Sequence, residues 1–503
     1  MKKQRSSFMA ALAVMLLLAS SAIAQTDYTG IWKGAIEIPG MNLELSVHLN
    51  RDAGTWKGTL DIPLQQVKDM PLTDVALEGV SLRFKLPKVP GNASFSGKFD
   101  EKAEKLNGTF TQGGQSFPMN LQRESVALKA ADEKRLQDVV QNLRRLTDSL
   151  RIKRHTPGLA FGIIKDGKIL MADGFGYRNI EQKLPVTTNT QFAIGSSSKA
   201  FTSMALAILS DNGQLDWEKP IIQYMPDFKM YDDFATQDMN AIDLTCHRSG
   251  LPRHDMVWYG ADFTRKDIYN RLRFLKPNKP FRTTWQYNNL MFMTAGYLVE
   301  RISGKTWEDF VKANIFTPLG MKNSNFSVRD LVASKDFATG YSTKKDQNTR
   351  LDYRNIDAMG PAGSINSSLT DMLLWVKLHL GDGKSGDTRV VSEIELHRLH
   401  TPQMLMEQDA FAKNPELTDP SYGFGWFDYR FKGLKVVEHG GNIDGFTALV
   451  YMIPEKDFGL VILCNQNGAG LPTVLARYTT DMVLGLDYTD WYARSYGKED
   501  KKD

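Results

Sequence analysis

Three short motifs carry residue types suited to nucleophilic catalysis. In "FAIGSSSKAF", residues 192 to 201, Ser196 and Lys199 form S-x-x-K; "WQYNNLMFMTAGYLVERISG" holds Tyr287-Asn288-Asn289 as Y-x-N; "VVEHGGNIDGF" holds His439-Gly440-Gly441 as H-x-G. A serine hydroxyl is a weak nucleophile until its proton is taken, and a nearby amine lowers the cost of making the alkoxide. Phe201, Ala205 and Ile208 predict a buried helix face that stops at Asn212-Gly213. Ser196 is then expected in the first turn, where the helix N-terminus favours negative charge and Lys199 lies on the same side.

Each motif is weak alone. S-x-x-K recurs at Ser342/Lys345 and Ser495/Lys498, and Y-x-N at Tyr177 and Tyr353. Serines at a helix start are ordinarily caps. Only the Ser196 and Tyr287 copies lead into strongly apolar helices. Paired glycines beside a β run are costly unless a backbone or ligand comes close, and a substrate along the strand edge is the expected reason at Gly440 and Gly441.

In this order, the three motifs resemble those of the serine beta-lactamase and penicillin-binding-protein superfamily. The nearest likeness is to its class C beta-lactamase-like branch, which includes D-aminopeptidases, D-alanyl-D-alanine carboxypeptidases and esterases. The stretches "CHRSGLPRHD" at 246, "IFTPLGMKNS" at 315, "GPAGSINSSLTDM" at 360 and "YGFGW" at 422 share it, so it spans about residues 131 to 490. The resemblance implies Ser196 as nucleophile, with Lys199 and Tyr287 sharing the removal of its proton and Tyr287 returning one to the leaving group. It makes Asn289 a positioner of Lys199 and substrate, His439, Gly440 and Gly441 part of the substrate-binding strand, and the N–H groups of Ser196 and Asn442 the oxyanion hole. Arg253, His254, Trp258 and Tyr259 fall in a loop near the active-site mouth of relatives and are candidates for substrate contact. For Tyr287 to act as a base its pKa must fall below about 10, an effect expected of Lys199.

His-Gly-Gly stands where beta-lactamases and many penicillin-binding proteins have Lys-Thr-Gly. A neutral histidine is a poorer carboxylate anchor than lysine, which favours peptides, amides or esters over beta-lactams. The expected activity is therefore hydrolysis through an acyl-serine, with small-molecule or peptide substrates that include D-amino-acid compounds. Acyl transfer to an alcohol or amine, beta-lactam hydrolysis, and a receptor that holds its ligand as a stable adduct are the alternatives.

These motifs need a scaffold. "GLAFGIIKDGKILMADGFG" reads as a hairpin turning at Asp166-Gly167, and "FTALVYMIPEKDFGLVILCNQNG" as another turning at Pro454 to Asp457. Between them most of the chain is helical in period, and Leu136, Val139, Leu143, Leu146 and Leu150 mark a helix ahead of them. Strands at both ends and helices between predict an α+β fold: one antiparallel sheet with helices, joined to a helical lobe. Upstream, "LELSVHL" and "VSLRFKL" alternate, and "GIWKGAIEI" is echoed by "GTWKGTLDI", predicting a small antiparallel β domain over residues 25–126. That domain resembles the lipocalin-like accessory domains attached to some such hydrolases. Trp32 and Trp56 are expected to fill it rather than line a ligand cavity.

The first 24 residues read as a signal peptide: Lys2, Lys3 and Arg5, an apolar run, then Ala22-Ile23-Ala24. The chain is expected to be exported to the periplasm or secreted, without stable membrane insertion. Losing those three cations takes the formal charge of +4 to about +1, which gives no footing for nucleic acid. The two cysteines, Cys246 and Cys464, fit no metal or redox spacing and read as buried thiols. His247, His254 and Asp255 match no ligand pattern, so neither metal nor cofactor is expected. Ser368 and Asp371 read as a capping pair, His379, His397 and His400 as structural, and residues 491–503 as a charged tail.

Overall fold

The computed structural model describes residues 28–497 apart from 53, 66, 101, 104, 125 and 408–413. The signal peptide expected over residues 1–24 lies outside the described residues. The chain divides into two compact units, to Ala130 and from Ala131.

The first unit is a nine-stranded antiparallel sheet: β1 (Gly30–Ile38), β2 (Met41–Asp52), β3 (Thr55–Ile62), β4 (Val67–Pro71), β5 (Thr73–Glu78), β6 (Ser81–Lys85), β7 (Ser94–Asp100), β8 (Lys105–Gln112) and β9 (Gln115–Arg123). Its spatial order is β4-β3-β2-β1-β9-β8-β7-β6-β5. Only Leu72 separates the two edge strands, and its N–H donates to the Gly58 carbonyl of β3 at 2.9 Å, so the sheet forms a nearly closed barrel. Alternation sets the inside: Leu43, Leu45, Val47 and Leu49 are all buried, as are Leu82, Phe84 and Leu86, while Val80 sits exposed in the turn. Trp32 fills the interior against Phe99, with ring centroids 4.8 Å apart, whereas Trp56 stays half-buried.

The helix α1 (Val126–Lys153) begins in the last residues of the first unit and runs on into the second, where the hairpin β10 (Gly158–Lys165) and β11 (Lys168–Asn179) follows it. Asp166 and Gly167 both take positive φ, 50° and 70°, as a type I′ turn requires. β10 pairs with Phe458–Cys464 from the far end of the chain, and the sheet continues through Phe446–Ile453, Leu434–Ile443, Trp426–Phe431 and Leu417–Gly423. Leu159, Phe161 and Ile163 face a core built with α1 and the helix Leu471–Leu484; Ala160 and Ile164 face the helical lobe on the other side. The expected α+β architecture is therefore present, with the sheet packed between terminal helices and the lobe.

One expectation fails at the C-terminus. The segment from Trp491, read as charged tail, opens with a helix, Trp491–Tyr496, and Trp491 is fully buried against Phe431. Its Nε1 donates to Asp481 at 2.8 Å. The charges of that segment hid three aromatic residues that finish the outer core.

Candidate active site

The helix carrying S-x-x-K, α2 (Ser198–Asp211), is buried through Leu209 and ends where Asn212-Gly213 predicts. A 3₁₀ turn, Gly195–Ser197, leads into it, so Ser196 lies just ahead of the helix rather than in its first turn. None of the three serines caps it. Ser197 Oγ donates to the His439 carbonyl at 3.1 Å, Ser198 Oγ accepts from the Ile365 N–H at 3.1 Å, and Ser196 Oγ lies 3.0 Å from Lys199 Nζ. The first two tie the turn to the sheet and the lobe, while Ser196 remains partly exposed.

Lys199 is buried completely, and its nitrogen has two further contacts, Asn289 Oδ1 at 2.8 Å and the Ala362 carbonyl at 2.7 Å. Both of those atoms only accept. A neutral amine has two hydrogens and one lone pair, so donating to Asn289 and Ala362 leaves the lone pair for the Ser196 hydroxyl. Burial holds the amine well below the ordinary lysine range, with the Arg253 charge adding to the effect and Asp255 opposing it.

Tyr287 lies beside this pair, its ring centroid 4.8 Å from Lys199 Nζ and its hydroxyl hydrogen-bonded with Ser196. Its pKa moves opposite to the sequence expectation. Burial raises it above the usual phenol value, outweighing the Ser196 bond and the charge of Arg253. Desolvation of the phenolate outweighs what the nearby charges supply. Desolvation acts against charge on both groups, lowering the amine and raising the phenol.

Asn289 opens the helix Asn289–Ser303, capped by Asn288, whose side chain accepts from the Met291 N–H. On the facing strand, Gly441 meets the turn before Ser196: a β-carbon there would lie 1.8 Å from the Ile194 carbonyl and 3.1 Å from the Ser196 nitrogen. One on Gly195, whose φ is +51°, would lie 2.8 Å from the Asn442 nitrogen. These approaches bring the backbone nitrogens of Ser196 and Asn442 together. The reason for Gly441 is thus a neighbouring backbone rather than a substrate, while Gly440 has no comparable constraint, its nearest neighbour being 3.5 Å from a built β-carbon.

His439 also departs from expectation. Its ring is buried; Nδ1 donates to the Gly440 carbonyl at 2.6 Å, so Nε2 is the acceptor for the Tyr422 hydroxyl at 3.0 Å. Burial, with Lys199 adding, pushes its pKa down to about 3. With both nitrogens used internally it offers no charge to a substrate carboxylate, and its work is to fix the strand. His247 is likewise buried, with Nδ1 accepting from the Asn288 N–H at 3.1 Å and its ring 4.3 Å from that of Tyr287.

The mouth loop divides. Arg253 lies over the Tyr287 ring, its guanidinium carbon 5.0 Å from the centroid, and donates to Asp255. Trp258 also donates to Asp255, at 3.0 Å, and Tyr259 to Asp444 at 2.7 Å, where Arg354 pairs with the same carboxylate. His254 reaches the Lys276 carbonyl at 3.4 Å. Sequence reading weighs Asp255 only as a metal ligand and does not single out Tyr422 or Ala362; the three fall in the quoted stretches "CHRSGLPRHD", "YGFGW" and "GPAGSINSSLTDM", and only the folded chain shows what they touch.

Elsewhere, Ser368 caps its helix through the Asp371 N–H, and His379 and His400 form a buried pair at 2.9 Å. Cys246 and Cys464 are buried free thiols.

Comparison with known proteins fits this geometry. A family model described as beta-lactamase matches residues 136–481. An unguisins hydrolase of Aspergillus campestris is 30% identical over 362 residues, covering 67% of this chain and 65% of that protein, so this chain spans just under two thirds of its relative's length. The octameric penicillin-binding protein homologue from Pyrococcus abyssi superposes with a TM-score of 0.58 at 27% identity, over 69% of this chain and 78% of the other. A penicillin-binding protein from Bacillus halodurans shares the fold, with a TM-score of 0.54 at 21% identity over 66% and 97% of the respective chains.

Proposed function

Because this chain belongs to the beta-lactamase family of serine hydrolases, we propose that it cleaves amide, peptide or ester bonds through an acyl-enzyme on Ser196. The observation that carries this reading is the buried Lys199 amine, 3.0 Å from Ser196 Oγ, with its other two contacts taken by acceptors.

In acylation, Lys199 Nζ takes the Ser196 proton as Oγ bonds to the substrate carbonyl carbon. The oxyanion forms against the N–H groups of Ser196 and Asn442. Tyr287, protonated at rest, gives its proton to the leaving amine or alcohol, and the Lys199 ammonium restores it. Water then attacks the acyl-serine, a proton returns to Ser196, and the acid departs. This assignment makes Lys199 the base and Tyr287 the acid, because desolvation acts against charge on both.

The internal use of both His439 nitrogens supports substrates that need no cation at that position, which favours amides, peptides and esters over beta-lactams. The likeness to an Aspergillus hydrolase supports hydrolysis as the outcome. The test is a p-nitrophenyl acyl ester, followed by product release and intact mass on the protein and its Ser196→Ala variant. A burst, turnover and a transient acyl mass shift, all lost in the variant, are expected. Equal turnover by both proteins would sink the assignment.

A further inference from the structure

We propose that Asp255 is a positioning residue for proton transfer from Ser196 to Lys199, acting through the side-chain amide of Asn289. This rests on the acyl-serine reading above and assigns a role to a residue outside the three motifs.

The side-chain amide of asparagine has an acceptor end and a donor end of nearly the same shape. If Asn289 turned its NH₂ toward Lys199, the amine would have to accept with its lone pair, the same lone pair needed by Ser196. Asp255 prevents that rotation. A carboxylate only accepts, and Asp255 Oδ1 lies 3.2 Å from Asn289 Nδ2, so Asn289 Oδ1 is left facing Lys199 at 2.8 Å.

The carboxylate is itself held on both oxygens. Trp258 Nε1 donates to Oδ1 at 3.0 Å and Arg253 Nε to Oδ2 at 2.6 Å. The loop that presents it passes through His254 at φ +49° and then turns into the 3₁₀ segment Asp255–Val257. A chain of single acceptor-to-donor assignments thus runs from Arg253 and Trp258 through Asp255 and Asn289 to the Lys199 lone pair. The groups facing Lys199 are Ser196, Tyr287 and Asn289, the neutral imidazoles His247 and His439, and the opposed charges Arg253 and Asp255.

A residue that acts only through Asn289 must lose its effect when Asn289 is gone. The test is a cycle on the full chain: wild type, Asp255→Ala, Asn289→Ala and the double variant, with Ser196→Ala as reference, reading the acylation rate with a p-nitrophenyl ester and the melting temperature of each. Asp255→Ala is expected to slow acylation by about 10- to 100-fold with the substrate dissociation constant from single-turnover kinetics little changed, and the double variant to match Asn289→Ala. Asp255→Asn, which keeps a carbonyl for Asn289 Nδ2, is expected to recover most of the rate. Asp255→Ser serves the same cycle if the alanine variant does not fold. A wild-type rate in Asp255→Ala, or losses that multiply in the double variant, would overturn the proposal while leaving the acyl-serine reading intact. Turnover that survives in Ser196→Ala overturns that reading itself, whatever the cycle gives.

Discussion

Gly441 approaches Ile194 so closely that a β-carbon on it would lie 1.8 Å from the Ile194 carbonyl oxygen. The strand and the turn before Ser196 are therefore in backbone-to-backbone contact, and Asn442 and Ser196 inherit their spacing from it. Gly441→Ala must push the two segments apart. Loss of one oxyanion donor costs about 100-fold or more in rate, so kcat/KM with an activated ester should fall at least that far. Gly440→Ala, with its nearest neighbour at 3.5 Å, should stay close to wild type; equal losses in both variants would show that the close approach is not what matters.

Much of this arrangement was legible before folding, and the limits have physical causes. The alternation of Leu43, Leu45, Val47 and Leu49 marks one face because strand period is two, and Asn212-Gly213 stops α2 because its backbone cannot continue the helix there. Ser196 and Lys199 meet because three residues make nearly one turn. The direction of the Tyr287 shift was not legible, since desolvation depends on residues gathered from distant segments. Nor was the burial of His439, because Tyr422 lies on another strand. Asp255, weighed in sequence only as a metal ligand, gains its contact with Asn289 only when the loop folds.

A base that works as a neutral amine has a pH signature. Only deprotonated Lys199 accepts the Ser196 proton, and its affinity is lowered from the ordinary value of 10.5. Acylation should therefore rise with pH and level off well below that value, and fall as pH drops through the lowered one. Lys199→Arg keeps a charge that cannot be given up, so the variant should lose about 100- to 10,000-fold in acylation while remaining folded by circular dichroism. A Lys199→Arg enzyme with near wild-type rates would transfer the role of base to Tyr287.

Buried imidazoles make stability depend on pH. Folding lowers the proton affinity of His247, His379, His400 and His439, with His379 and His439 brought down to about 3. Below about 6.5, the unfolded chain binds protons that the folded chain does not, so each of these groups costs stability as pH falls. Glu438, raised to about 7, works in the opposite sense, so the contribution of one histidine is read by difference. His379→Gln should flatten the fall in unfolding free energy between pH 6 and 4 by up to about 1.4 kcal/mol per pH unit. Urea midpoints across that range check it, and parallel curves for the two proteins would refute it.

The last helix should be indispensable although it precedes a run of charges. Trp491 is fully buried, donates to Asp481 and has the cations of Arg477 and Arg494 near its ring, at 5.2 and 4.9 Å. The Tyr478 hydroxyl bonds Asp490 at 2.6 Å and accepts from the Tyr492 N–H at 3.0 Å, so this helix and Leu471–Leu484 cap a single core. Truncating a buried tryptophan to alanine costs about 3–5 kcal/mol, a large part of the stability of an ordinary domain. Trp491→Ala should lower the melting temperature sharply, and a chain ended at Asp490 should fail to accumulate as soluble protein. A chain ended at Gly497 keeps every one of these contacts and should melt well above one ended at Asp490. If ending at Asp490 left melting unchanged, the sheet would be sealed without this helix, and its aromatic residues would need another explanation.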